Sequence, residues 1–174
     1  MIKTPEWYFK SKTKNADVLS NLGFIIAGIV AFRLGYTLLG FSLVMVSIGS
    51  TFFWGNPSEK TLRIDRSFMI LAFAIFYNMI YPISVLYYLV LGYFTLYLSI
   101  LDDNLLYYIM YQILGIGMII GRFGVNFWII LYLAGIISQQ NYPYFAFIKH
   151  LLMSIAIIGF LVYYPEQLSQ ISCS

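Results

Sequence analysis

The feature that most constrains this chain is a succession of apolar runs, each about as long as a helix, separated by short polar or turn-forming breaks. A run of about 17 to 25 apolar residues can cross a bilayer as a helix. Lipid offers no partners to backbone N–H and C=O groups, and the period-2 alternation of a membrane β-barrel is absent from the sequence. The runs therefore predict seven membrane-spanning helices, over residues 18–34, 37–54, 65–81, 83–100, 105–121, 124–139 and 144–163.

Composition agrees with this prediction. Only 10% of the residues are charged, whereas a soluble domain carries roughly 25%. No linker rich in Gly, Ser, Pro or charge divides the chain, and the first apolar run lacks the small-x-small cleavage site of a signal peptide. We therefore expect one all-α integral membrane domain, a seven-helix bundle over 18–163, between a polar N-terminal segment, 1–17, and a short C-terminal tail, 164–174.

The basic residues predict how the bundle is oriented. In the predicted topology one side of the membrane holds eight of the ten, whereas the other side holds only Arg33 and Arg122. The positive-inside rule then places the N-terminus on the cytoplasmic side or in an equivalent compartment such as a mitochondrial matrix. We favour this topological role over binding to lipid head groups, and we expect no nucleic-acid partner. The eight are Lys3, Lys10, Lys12, Lys14, Lys60, Arg63, Arg66 and Lys149.

The scarcity of histidine and cysteine excludes several functions. His150 and Cys173 are single copies, so the chain alone builds no internal disulfide, no bis-histidine haem and no usual three- or four-ligand zinc site. The sequence also lacks a GxSxG elbow, a P-loop and a GxGxxG turn. Four glycines are interpreted as packing positions between helices: Gly115, Gly117, Gly121 and Gly124.

Three segments carry a recognisable pattern. They are DVLSNLGF at 17–24, GSTFFWGNP at 49–57 followed by IDRSFM at 64–69, and IKHLL at 148–152. Together they resemble the alkaline ceramidase family and its bacterial relatives, seven-helix membrane proteins distantly related to the adiponectin receptors. The resemblance runs from the first predicted span to the last. Its most specific part is a Gly-Ser, a ligand position four residues later and an Asp-Arg eleven residues beyond that.

The resemblance implies a zinc-dependent amidase that acts on ceramide-like lipids. In such proteins three histidines bind the zinc ion, and a serine and an aspartate lie nearby. Some of these positions keep their residue in this chain, and two of the three histidines are replaced. The retained positions are Ser50, Asp65 and His150, the lost ligand positions are Trp54 and Ala146, and the N-terminal motif contributes Ser20 and Asn21.

These replacements argue against hydrolysis. A catalytic zinc needs about three protein ligands and an open position for water, so one imidazole and one carboxylate are too few. Trp54 also puts a bulky indole where a ligand would reach inward. We therefore expect no catalytic residue, no zinc and no other cofactor. Glu6 and Asp17 are too sparse for the family's calcium site, and a hard cation on Asp65 and Ser50 is the weakest alternative.

The retained polar residues have a structural interpretation. Ionisable groups within spans usually face the bundle interior in pairs, so we expect Asp65 to contact Arg66 or Lys149, and His150 to contact Ser50 or Asp65. Capping of a helix N-terminus is equally open for Asp65. In the predicted topology all the family positions lie toward one membrane face, so they would line one pocket.

Two functional hypotheses follow. The favoured one is a catalytically inactive ceramidase-like protein that serves as an accessory subunit of a larger membrane complex and keeps a lipid in the former pocket. Its partners would be membrane lipids and other subunits, and its size and composition suggest the mitochondrial inner membrane. The alternative is an amidohydrolase for ceramide-like lipids with an unorthodox or partner-completed metal site. A transporter ranks third because the sequence has no internal repeat.

Overall fold

A computed structural model describes residues 14–101, 106–141 and 146–168. In these ranges all regular structure is helical, which confirms the predicted all-α class. A 3-10 turn at Pro165–Gln167 follows the last helix. The helices are α1 Lys14–Ser20, α2 Leu22–Arg33, α3 Thr37–Gly55, α4 Glu59–Ile80, α5 Val85–Leu101, α6 Leu106–Phe123, α7 Phe127–Asn141 and α8 Ala146–Tyr163.

Within the described ranges, two helices are long and apolar enough to span a membrane. One is Asn15–Arg33, which joins α1 and α2 across Asn21, and the other is Thr37–Gly55, which is α3. The remaining apolar helices are shorter, between 10 and 17 residues. They are Val85–Leu98, Met110–Phe123, Phe127–Ser138 and Phe147–Tyr163.

The helices form a closed ring. From α2 to α8 each helix packs against the next one in the chain, and α8 packs back against α2. Helix α1 is not one of the helices of this ring; it packs against α3 and α8. A cavity of about 40 Å³ at the centre is lined by almost entirely apolar side chains from α2, α3, α4, α6, α7 and α8. The interior of the ring is therefore nearly filled.

Helix α4 begins earlier than the apolar pattern predicts. The Ser58 hydroxyl accepts from the Thr61 backbone N–H, and the Thr61 hydroxyl accepts from the Ser58 N–H, so the two form a capping box before Glu59. Asp65 consequently lies in the second turn, and its interpretation as a helix cap is wrong. Arg66, which we counted among the basic residues on one side of the membrane, is buried within the same helix.

The N-terminal boundary also differs from the prediction. Helix α1 starts at Lys14, so the last residues of the polar segment 1–17 belong to the helical body; residues 1–13 lie outside the described ranges. The helix breaks at Asn21, whose carbonyl accepts a hydrogen bond from the Ser47 hydroxyl at 2.8 Å. This hydrogen bond from α3 gives the Asn21 carbonyl a partner at the junction of α1 and α2.

Side-chain contacts distinguish two ends of the ring. At one end, which we call the polar end, Ser20 of α1 meets His150 of α8. At the other, the turn end, the Tyr36 hydroxyl donates to the Pro165 carbonyl at 2.8 Å, so the first residues of the tail 164–174 pack on the body.

Candidate functional site

The family positions converge at the polar end. The end of α1 supplies Ser20, the last turns of α3 supply Ser50 and Trp54, the second turn of α4 supplies Asp65, and the first turns of α8 supply His150. All but Ser20 are buried, with exposed fractions between 2% and 6%. Ala146 is the first residue of α8, one turn before His150. The structure thus gathers residues that lie far apart in the sequence.

A hydrogen bond between Ser50 and Asp65 joins α3 to α4. The Ser50 hydroxyl donates to Oδ1 of Asp65. A Cβ at the preceding Gly49 would lie 2.6 Å from the Phe68 ring and 3.3 Å from Cα of Asp65, so only glycine lets the helices approach this closely. The Gly-Ser and the distant aspartate of the sequence pattern therefore have a shared packing role.

His150 has a different partner from the one we expected. Its Nδ1 lies 2.9 Å from the hydroxyl oxygen of Ser20, whereas we expected a contact with Ser50 or Asp65; within the described ranges no hydrogen bond joins the imidazole to either of those residues. The physical reason is the position of α1, which packs against α3 and α8 and brings its last residue to the imidazole. The serine of the N-terminal motif is therefore the side chain that joins α1 to α8.

Trp54 fills the space beside the imidazole. The Trp54 and His150 rings meet edge to face with centroids 5.8 Å apart, and Phe24 approaches the imidazole from α2 at 5.9 Å. Phe53 packs against the indole in turn, at 4.8 Å. Only 2% of Trp54 is exposed. The residue at the first lost ligand position is thus an integral part of the packing around His150.

Asp17 is a site residue whose role the sequence did not reveal. It is fully buried, and its Oδ1 accepts the Phe147 backbone N–H at 2.9 Å. The first N–H groups of a helix lack intrahelical partners and carry partial positive charge, so this carboxylate stabilises the start of α8. We weighed Asp17 only as a calcium ligand, although its place at the head of the 17–24 pattern was a usable signal.

Asn21 completes the N-terminal motif. Its side chain is fully buried, with Nδ2 at 3.5 Å from the Thr51 hydroxyl, which is a weak contact. Within the described ranges its Oδ1 has no hydrogen-bond partner. Together with the bond from Ser47 to its carbonyl, this places Asn21 at the junction of α1, α2 and α3 as a structural residue.

The residues at this end do not fit the zinc site that the resemblance implies. The imidazole is engaged by Ser20, the Asp65 carboxylate by Ser50 and the Asp17 carboxylate by the start of α8, and the amide oxygen of Asn21 is a neutral, hard donor. Zinc favours histidine and cysteine ligands and usually needs three or more protein ligands. In the part of the chain that the structure describes, no group of three or more His, Cys, Asp and Glu residues is placed to hold a metal.

Comparisons with family models, curated proteins and solved structures found no match. The contacts within the polar end are hydrogen bonds between helices. Ser20 and His150 join α1 to α8, and Ser50 and Asp65 join α3 to α4.

Proposed function

We propose that this chain is an integral membrane protein with seven spans, a catalytically inactive relative of the ceramidase-like hydrolases that serves as an accessory subunit of a larger membrane complex. The observation that carries the proposal is the edge-to-face packing of Trp54 on His150. An indole occupies the space in which an active relative would hold a metal ligand, so the retained histidine has a packing partner instead of a zinc ion.

The outward-facing side chains support a membrane location. Large apolar residues that are more than half exposed occur on α1, α2, α3, α5, α6, α7 and α8. Water-soluble monomers rarely leave apolar surface exposed on every side, whereas lipid solvates it. Representative residues, with their exposed fractions, are Leu19 at 63%, Phe41 at 58%, Val90 at 62%, Ile113 at 58% and Ile130 at 56%.

An accessory role follows from the same surface. The connections at 34–36 and 124–126 are only a few residues long, so most of what the body can present to a neighbour is its apolar helix faces. A mitochondrial inner-membrane complex, with the polar end toward the matrix, fits the distribution of basic residues. The central cavity of about 40 Å³, whose lining includes none of the family positions, is far smaller than the roughly 300 Å³ of a small-ligand site, so it has no room for a lipid.

One observation favours the alternative of an amidohydrolase. A serine hydroxyl 2.9 Å from an imidazole nitrogen has the spacing of a nucleophile and its general base. However, the Ser20 hydroxyl also donates to the Asp17 carbonyl oxygen at 2.8 Å, and it has one hydrogen to donate. With its hydrogen on the Asp17 carbonyl, the hydroxyl accepts from the imidazole, and in that arrangement it has no base. We therefore favour the structural role.

The test combines metal analysis with an activity assay on the full chain purified in detergent. We expect less than about 0.1 zinc per chain, no release of fatty acid from ceramide, no labelling of Ser20 by a fluorophosphonate, and co-migration with other subunits on native gels. About one zinc per chain, or hydrolysis that Ser20→Ala abolishes, would establish the enzyme instead.

A restored site tests the lineage separately. Trp54→His combined with Ala146→His would bring the histidine count to three, and we expect this variant to bind zinc where the parent does not. The matched control is Trp54→Gln with Ala146→Gln, which opens the same space without supplying imidazoles. Equal zinc contents in the two variants would contradict descent from a zinc-binding scaffold.

A further inference from the structure

An open groove lies on the outer surface at the turn end, away from the family positions. Its volume is about 390 Å³, within the range of roughly 300 to 1,000 Å³ that small-ligand sites occupy. We call it the tyrosine groove. It is lined by Tyr81, Pro82 and Ile83 at the α4–α5 turn, by Tyr87 and Tyr88 of α5, and by Leu114 and Met118 of α6.

The walls of the tyrosine groove are held in place by hydrogen bonds. The Tyr88 hydroxyl donates to the Tyr81 carbonyl at 3.1 Å, and the Tyr111 hydroxyl donates to the Tyr88 carbonyl at 3.1 Å. Tyr88 and Tyr111 are buried, with 2% and 1% exposed, whereas Ile83 is 70% exposed at the mouth. The groove is thus preformed, apolar within, and open to the surroundings of the helices.

An exposed arginine comes one turn after the groove residues of α6. Leu114, Met118 and Arg122 are spaced by four residues, which puts them in succession along one helix face. Arg122 is exposed in the last turn of α6. In the predicted topology, Arg33 and Arg122 are the two basic residues on this side of the membrane. A guanidinium pairs with phosphate through two parallel hydrogen bonds.

We propose that the tyrosine groove binds one anionic phospholipid, with an acyl chain along Leu114 and Met118 and the phosphate paired with Arg122. This inference rests on the proposed membrane location, since the groove then opens into the acyl region while Arg122 lies near the head groups. The aromatic and aliphatic lining suits a hydrocarbon chain, and the charge selects a lipid with a net negative head group.

Arg33 provides a matched control for the charge. It too is exposed in the last turn of a helix, α2, on the same predicted side of the membrane. Both arginines stabilise the negative end of a helix dipole to a similar degree. Only Arg122 continues the line of groove residues, so the proposal predicts that the two substitutions differ in lipid binding and agree in stability.

The experiment measures lipid binding to the full chain in dodecyl maltoside by native mass spectrometry, with phosphatidylglycerol or phosphatidylcholine added. We expect one phosphatidylglycerol per chain, and an affinity at least about tenfold above that for phosphatidylcholine. Arg122→Gln should lower phosphatidylglycerol affinity about tenfold, while Arg33→Gln leaves it unchanged.

A second pair of variants tests the hydrocarbon part. Met118→Trp fills the groove and should weaken both lipids, whereas Ile113→Trp, on the exposed side of the same helix, should weaken neither. If Met118→Trp alters the melting temperature, Ile83→Trp at the exposed mouth replaces it. Equal losses in the groove variant and its control would overturn the proposal, as would equal losses in the two arginine variants.

The outcomes separate this inference from the proposed function. A chain that remains dispersed in water without detergent contradicts the membrane location and the groove together. A chain that needs detergent but shows no preference for phosphatidylglycerol contradicts the groove alone. A copurifying protein helix that protects Ile83 and Met118 from labelling, in place of lipid, also overturns it.

Discussion

The polar end and the turn end of the ring use their polar side chains in different ways. At the polar end side chains bond to side chains of another helix: Ser20 contacts His150 across α1 and α8, and Ser50 binds Asp65 across α3 and α4. At the turn end the groove tyrosines bond to backbone carbonyls, as Tyr88 does to its neighbour across the α4–α5 turn. The first end is closed by these contacts, whereas the second keeps an open groove.

The difference teaches how the same kinds of polar group can serve stability at one end and leave space at the other. A buried polar group left without a partner costs about 1–3 kcal/mol, so the hydrogen bonds of Ser20 and Ser50 stabilise the contacts between helices. Trp54 adds packing against His150. The polar end is therefore filled by its own side chains, whereas the turn end has an open groove.

The largest effect is expected from Trp54→Ala. Removing a side chain that is 2% exposed leaves a cavity beside His150 and should destabilise the protein by about 3–5 kcal/mol. Tyr87→Ala at the turn end, where the side chain is 56% exposed, should change stability by less than about 0.5 kcal/mol. Thermal unfolding in detergent, followed by circular dichroism, measures both. Similar losses would remove the distinction between a closed and an open end.

Ser50→Ala should have the next largest effect. It removes the hydroxyl that donates to Asp65 and leaves a carboxylate that is 6% exposed with one partner fewer, which costs about 2 kcal/mol. Ser67→Ala is the control, because that hydroxyl donates to the Arg63 carbonyl of its own helix near the surface. Denaturant titration in micelles compares the two. A loss below about 0.5 kcal/mol for Ser50→Ala would show that the polar end does not depend on this bond.

Much of the fold could be predicted from the sequence because helix length and apolar runs are local properties. Helices α3 and α8 lie within a few residues of the predicted spans 37–54 and 144–163. The start of α4 was missed because the capping box at Ser58 and Thr61 precedes the apolar run and adds a charged first turn. Length of apolar sequence alone does not detect such a polar turn.

The sequence predicts which residues meet at the site, but it does not predict which of them form hydrogen bonds with each other. The family pattern named the residues that meet at the polar end, but which hydroxyl reaches His150 depends on the packing of α1, a tertiary property that spacing does not specify. The glycines show the same limit. Gly115 lies against the Tyr77 ring as a packing glycine should, whereas Gly124 contacts nothing within 4 Å and instead adopts a positive φ of 67° in the α6–α7 turn.

The smallest effect concerns the wall of the tyrosine groove. Tyr88→Phe removes the hydroxyl that donates to the Tyr81 carbonyl and should cost about 1 kcal/mol. If the groove must be preformed to accept an acyl chain, the same change should lower phosphatidylglycerol affinity, because a loosened wall has to be ordered on binding. Tyr87→Phe is the control, since that residue is adjacent and more than half exposed.

The two measurements on Tyr88→Phe separate a structural bond from a groove-forming one. Reduced stability with unchanged lipid affinity would mean that the wall re-forms around the lipid, and the turn end would then be adaptable instead of preformed. Reduced stability together with reduced affinity, both absent in Tyr87→Phe, would mean that the turn end keeps its space through the hydrogen bond from Tyr88 to the Tyr81 carbonyl.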